Sequence, residues 1–129
     1  MNGDMVTPYV PEAGDIVMMD FDPQVGREQA KRRPALVLTD QRYNRASGLA
    51  VCVAITSRIR SNPFGVLLPK GILPPKAGVG DVDSVILADA LRQVDFRERS
   101  MTLVAKCPRE ILDEVTARTL AVVDPEAEY

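Results

Sequence analysis

The 129-residue sequence predicts a small, mostly β barrel carrying one C-terminal α-helix. Three observations predict it. Short apolar runs rich in Val, Ile and Leu recur along the chain, each closed by proline, glycine or a polar cluster, the signature of short strands. Only the stretch after Pro108 carries a helical period long enough to bury one face. The length, with 46% hydrophobic and 26% charged residues, suits one core rather than two. Strands first and a helix last describe a sheet with a helix packed on it. We expect one domain over residues 1–129, with 1–8 and 124–129 as flexible ends.

Taken in order, "GDIVMMDFD" (Gly14 to Asp22) has a strand-like apolar centre, and Pro23 and Gly26 mark a loop after it. Pro34 opens a second strand, "ALVLTD". "QRYNRASG" reads as a polar turn leading into "LAVCVAIT" (Leu49 to Thr56), a continuous apolar run. "PFGVLLP" (Pro63 to Pro69) is a fourth strand, Ser84 to Phe96 one or two more, and Ser100 to Lys106 the last. Leu68 to Asp83 is rich in proline and glycine and reads as a loop, and its "GVG" is a weak phosphate-loop hint. Pro108 suits the first helical position, and Glu110 suits the positive end of the helix dipole. Ile111, Leu112, Val115, Thr119 and Val122 share one helical face, which should pack on the sheet.

Composition removes several classes of function. The chain has no histidine and only two cysteines, Cys52 and Cys107, which nearly excludes a zinc site and excludes a Ser-His-Asp or Cys-His nucleophile. We expect no metal and no cofactor. The cysteines lie in apolar settings and should be buried free thiols. The longest apolar run, Leu49 to Ile55, is far short of the ~20 residues a membrane span needs, and the N-terminus lacks a signal-peptide pattern. The expected location is the cytoplasm.

Charge is unevenly spread. The net charge is −2, yet the window Arg27 to Arg60 holds Arg27, Lys31, Arg32, Arg33, Arg42, Arg45, Arg58 and Arg60 against Glu28 and Asp40. A basic window on an acidic scaffold is the footprint of an anion site, although solvated basic loops would give the same count. RNA can be cut there without metal or histidine if its 2′-OH attacks the adjacent phosphorus. Glu28 can take the hydroxyl proton, and Arg33 can stabilise the phosphoryl oxygens through paired N–H donors. Thr56 or Ser57, at the end of the neighbouring strand, can complete the cradle.

These residues resemble a known family. "YVPEAGDIVMMDFDPQVGREQAKRRPALVL", then "YN", "SGLAVCVAITS" and "NPFGVLL", then "ILADALRQVDF" and "PREILDEV", follow in order the motifs of the MazF/PemK toxin endoribonucleases. The resemblance runs from about Tyr9 to Val123. It implies an SH3-like small β-barrel, as in MazF, PemK and CcdB, that forms a homodimer. It further implies metal-independent, sequence-preferring cleavage of single-stranded RNA, with a cyclic-phosphate product, and neutralisation by a MazE-type antitoxin. By motif position the catalytic residues are Arg33, Thr56 and Glu28, with Glu28 acting as base or as orienter of Arg33. RNA contacts are expected from Arg27, Lys31, Arg32, Arg58 and Arg60, and from Tyr43 and Phe64 by stacking on bases. The stretch Leu68 to Asp83 is longer than its counterpart in compact members. Two alternatives share the fold: a CcdB-like toxin that binds gyrase without chemistry, and a non-catalytic interaction module.

Overall fold

The computed structural model describes residues 8–20, 32–58, 62–74 and 83–127. Within them lie β1 (Asp15–Asp20), β2 (Arg32–Val37), α1 (Gln41–Ser47), β3 (Leu49–Thr56), β4 (Gly65–Leu68), β5 (Ser84–Asp95), β6 (Thr102–Lys106) and α2 (Arg109–Val123). The strands form one sheet in the order β4-β5-β3-β2-β1-β6, antiparallel at every pairing. Its edges are β4 and β6, so the expected barrel is an open, curled half-barrel.

The strands read as continuous apolar runs because both faces of the sheet are covered. On one face Ile16, Leu36, Val53, Ile55 and Ile86 join Val115 of α2 in a buried cluster. On the other, Val17, Met19, Ala35, Val37, Cys52 and Val94 form a second cluster, against which Tyr9 and Val10 of the N-terminal segment pack. Successive residues of β1, β2 and β3 alternate between the two clusters, as strand geometry requires. A one-residue slip would exchange every side chain between the two cores, so the register is firmly specified.

Irregularities shape the sheet. Val53 pairs with Leu91, but Ile55 pairs with Ile86, so β5 uses more residues than β3 between those rungs. Such a bulge bends a strand, and here one 12-residue strand serves both β3 and β4. The Thr119 hydroxyl donates to the Ala88 carbonyl at 2.7 Å, fastening α2 to the bulge. At Gly65 a Cβ would stand 2.8 Å from Val85, so β4 approaches β5 closely only because this residue lacks one.

The N-terminal segment is tied down by a buried carboxylate. Asp15 accepts hydrogen bonds from the Tyr9 hydroxyl (2.5 Å), the Glu12 amide (3.0 Å) and the Lys106 ammonium (2.5 Å). Burial first, and then the Asp15 hydrogen bond and charge, push the Tyr9 phenol well above its ordinary range, which keeps it a donor.

Three readings of the sequence need correction. "QRYNRAS" is not a turn but α1. The Asp40 side chain accepts from the Tyr43 amide at its start, and Gly48 takes the left-handed conformation (φ 76°) at its end. Val122 is not on the packed face: it is 41% exposed, whereas Val115 and Thr119 are buried. Helix α2 continues past the part of the sheet it covers. Its proline is also one residue earlier than expected, since Pro108 occupies the cap position.

Candidate active site at the ends of strands β2 and β3

Strand β2 begins at Arg32 and pairs with β1 through Asp20↔Arg32 and Met19↔Arg33. On its other side, Ala35 pairs with Ala54, Leu36 with Val53 and Val37 with Cys52. Continuing that register by two residues sets Arg33 opposite Thr56. Directly opposed residues share a face, with Cβ atoms typically ~4.5–5.5 Å apart. Ala35, Val37 and Cys52 identify that face as the one turned away from α2. Thr56 pairs on its far side with Val85. On that register an exposed arginine and a half-buried threonine fall on one face just beyond the last β2–β3 pair, Ala35↔Ala54.

Local structure fixes the hydroxyl. The Arg58 amide donates to Thr56 Oγ1 at 3.1 Å, which engages one of the oxygen's two lone pairs and leaves the hydroxyl proton able to turn to an incoming ligand. Arg58 itself is exposed directly beyond the strand. A guanidinium, a hydroxyl donor and a second basic side chain at one strand end suit an oxyanion with several oxygens.

Arg32 has a different setting. Its guanidinium donates to Asp20 Oδ1 (3.2 Å), the Met18 carbonyl (3.0 Å), the Ser100 carbonyl (2.8 Å) and Thr102 Oγ1 (3.1 Å). Adjacent in sequence, Arg32 and Arg33 are directed to opposite faces by the strand.

The other expected residues divide. Glu28, Arg27, Lys31 and Arg60 lie outside the described residues, as does the "GVG" segment. Tyr43 is on α1, where its hydroxyl accepts from Gln93 Nε2 at 2.7 Å. Gln93 pairs with Val51, five residues from Thr56 and so ~16 Å along the strand. Phe64 is half-buried and packs against the α2-side core. The structure therefore brings neither aromatic residue beside Arg33 and Thr56.

Arg92 was not foreseen. It pairs with Cys52 on the Arg33–Thr56 face and is exposed. Burial pushes the Cys52 thiol up to about 12, while the positive charges of Arg92 and Arg99 pull it part of the way back. The thiol is thus neutral and inert near pH 7, and Cys107 is likewise raised by burial, to about 11. Both cysteines are free. An arginine between apolar strand residues in "ALRQV" was the available signal, but it falls outside the basic window. No group of three or more His, Cys, Asp or Glu among the described residues could hold a metal ion.

A small half-barrel with a basic, hydroxyl-bearing strand end is a fold with a place suited to an anionic group. Comparison with known proteins narrows this: residues 12–123 match the family described as PemK-like, MazF-like toxin of type II toxin-antitoxin system. The chain belongs to that family. It is 36% identical over 114 residues to the endoribonuclease toxin MazF of Escherichia coli (strain K12), covering 88% of this chain and 95% of that protein. The crystal structure of MazF from Deinococcus radiodurans is 39% identical, with a TM-score of 0.74, covering 90% of this chain and 98% of that one. A MazE-MazF structure from the same organism is 35% identical, with a TM-score of 0.74 and coverage of 91% and 98%.

Proposed function

We propose that this chain is a metal-independent endoribonuclease toxin that cuts single-stranded RNA at preferred sequences by attack of the ribose 2′-OH. The broader statement, a MazF-like endoribonuclease toxin, follows from family membership and from relatives named as endoribonucleases: MazF, PemK and EndoA, each at least 31% identical over most of the chain. The observation that carries the finer reading is the β2–β3 register, whose continuation sets Arg33 opposite Thr56.

In this mechanism Arg33 holds the phosphoryl oxygens as negative charge grows on them, and Thr56 donates a hydrogen bond to the same group. Glu28 takes the 2′-OH proton or orients Arg33. The 2′-oxygen bonds to phosphorus and closes a cyclic phosphate as the P–O5′ bond breaks, and the departing 5′-oxygen takes a proton from water. Arg27, Lys31, Arg58 and Arg60 bind flanking phosphates, and Arg92 extends that track across the same face. Tyr43 and Phe64 would need bases to reach well beyond the Arg33–Thr56 rung, so we give them no stacking role.

We also propose a homodimer neutralised by a MazE-type antitoxin, acting in the cytoplasm. Leu120 and Val123 are exposed apolar side chains of α2, and Leu67 and Leu103 are exposed on the edge strands; a second copy could cover some of them. MazE-MazF structures among the similar proteins support the antitoxin. An acidic antitoxin segment would compete with RNA for the basic strand end. No helix among the described residues is long and apolar enough to cross a membrane.

The test is to incubate long labelled RNA with the protein in excess EDTA and to examine the fragment ends. Full activity with 2′,3′-cyclic phosphate ends is expected. Activity that vanishes with chelator and returns with magnesium would sink the mechanism. RNA binding without cleavage would favour a non-catalytic module.

A further inference from the structure

We propose that Arg32 is a positioning residue for Arg33, a strut that closes the end of the sheet, and not a contact for RNA phosphate. The inference rests on the reading of Arg33 as the catalytic arginine.

The sequence offers two adjacent arginines with nothing to separate them. The structure separates them by face and by partners. Arg32 donates to four acceptors drawn from β1, from β6 and from the turn before β6. Its Nη2, with two protons, meets three of them and Nη1 meets the fourth, so three of the five guanidinium N–H groups are turned into the protein. Arg33 is exposed on the opposite face.

The acceptors are placed where the sheet most needs a fastening. Asp20 and Arg32 form the last described β1–β2 rung, on either side of residues 21–31, which contain Glu28. The next rung inward is Met19↔Arg33. An opening at this rung would release the backbone of Arg33. The far side of the knot is also held. The Asp20 amide donates to the Arg99 carbonyl at 2.9 Å, and Arg99 Nη1 donates to the Asp20 carbonyl at 3.3 Å. Ser100, whose carbonyl receives the shortest Arg32 bond, has φ 52°, a left-handed conformation that a serine keeps only when its surroundings impose it. Arg32 thereby joins three strands at the one rung beside the catalytic arginine.

Positioning and phosphate binding make opposite kinetic predictions. We would compare wild type, Arg32→Ala, Arg32→Lys and Arg33→Ala in single-turnover cleavage at saturating RNA. Binding of a 2′-O-methylated copy of a cleaved segment would be titrated across potassium chloride concentrations. For Arg32→Ala we expect the saturated rate to fall roughly 10- to 100-fold, the scale set by an ångström-sized misplacement of a catalytic group. Affinity should stay within about two-fold and the salt slope should be unchanged, because no phosphate contact is lost. Arg32→Lys should recover part of the rate, since an ammonium reaches some of the acceptors. An unchanged saturated rate overturns the proposal, and so does weaker binding with a shallower salt slope. Should Arg32→Ala fail to fold, Thr102→Val, which removes one acceptor, is expected to show the same split at about 2- to 5-fold. Arg33→Ala keeps the two readings apart. If it cuts at the wild-type rate, the assignment of Arg33 fails; if it is inactive while Arg32→Ala is fully active, the strut fails.

Discussion

The two faces of the sheet are built for different ends. The face under α2 is closed at its centre: Ile16, Leu36, Val53, Ile86 and Val115 are buried, and Thr119 fastens the helix to Ala88. The opposite face is apolar only in part. Its Val17, Val37, Ala50 and Cys52 are buried, but the same rows run out to Arg33 and Thr56 at the strand ends. In the proposed reading one face is devoted to stability, and the other carries chemistry on the margin of a core. The difference teaches that a site on a small half-barrel need not disturb its main core.

The largest effect expected from this contrast is Arg33→Ala. It should slow single-turnover cleavage by ~10²–10³, the usual loss for one preorganised donor, and leave the melting temperature nearly unchanged. Arg33→Lys should restore only part of the rate, because a point charge cannot make the paired contact. Ile86→Ala should do the reverse. It should cost about 2–5 kcal/mol in urea unfolding and leave the rate per folded molecule intact. If each variant moved both quantities equally, the division of labour between the faces would be wrong.

Salt sharpens the contrast next. Binding of uncleavable RNA should weaken with potassium chloride at a slope of about −0.7 per neutralised phosphate, despite the net charge of −2. Arg92→Gln should make that slope shallower, whereas Arg109→Gln, on α2, should not. Equal effects would remove Arg92 from the proposed track.

The smallest effect concerns Cys52. Burial raises its thiol from the ordinary 9.0 to about 12, so above pH 9 the unfolded chain releases a proton that the folded chain retains. Its contribution to stability is complete below pH 9 and is lost between pH 9 and 12. Urea midpoints should fall over that range, and Cys52→Ala should flatten the fall in part, since Tyr9 and Cys107 are raised as well. An identical fall in Cys52→Ala would exclude the thiol as a contributor.

Strands β3, β4 and β6 were legible in the sequence because apolar runs between proline and polar punctuation leave few other readings. Helix α1 was not, for it is 7 residues long and has no apolar stripe. Its Asp40 and Gly48 were the signals, and they also suit a turn. The bulge in β5 has no local signature, since it answers the need to pair with two strands. Arg33 and Thr56 were singled out through the order of motifs, yet setting them opposite each other takes a register that only the paired strands define. The unlike roles of Arg32 and Arg33 are illegible in "KRRP": both are arginines, and which one meets β6 is a matter of strand direction. Arg92 was hidden by counting charge in a window, when the face it shares is assembled from distant strands.

The central claim is that Arg33 and Thr56 form one catalytic unit across one rung of the sheet. A double-mutant cycle tests it most directly, with single-turnover cleavage measured for wild type, Arg33→Ala, Thr56→Ala and the double variant. Residues that hold the same phosphoryl group should be strongly non-additive. We predict that Thr56→Ala alone costs less than Arg33→Ala, and that the double variant is hardly slower than Arg33→Ala. Losses that simply multiply would show two independent contributions and contradict the account.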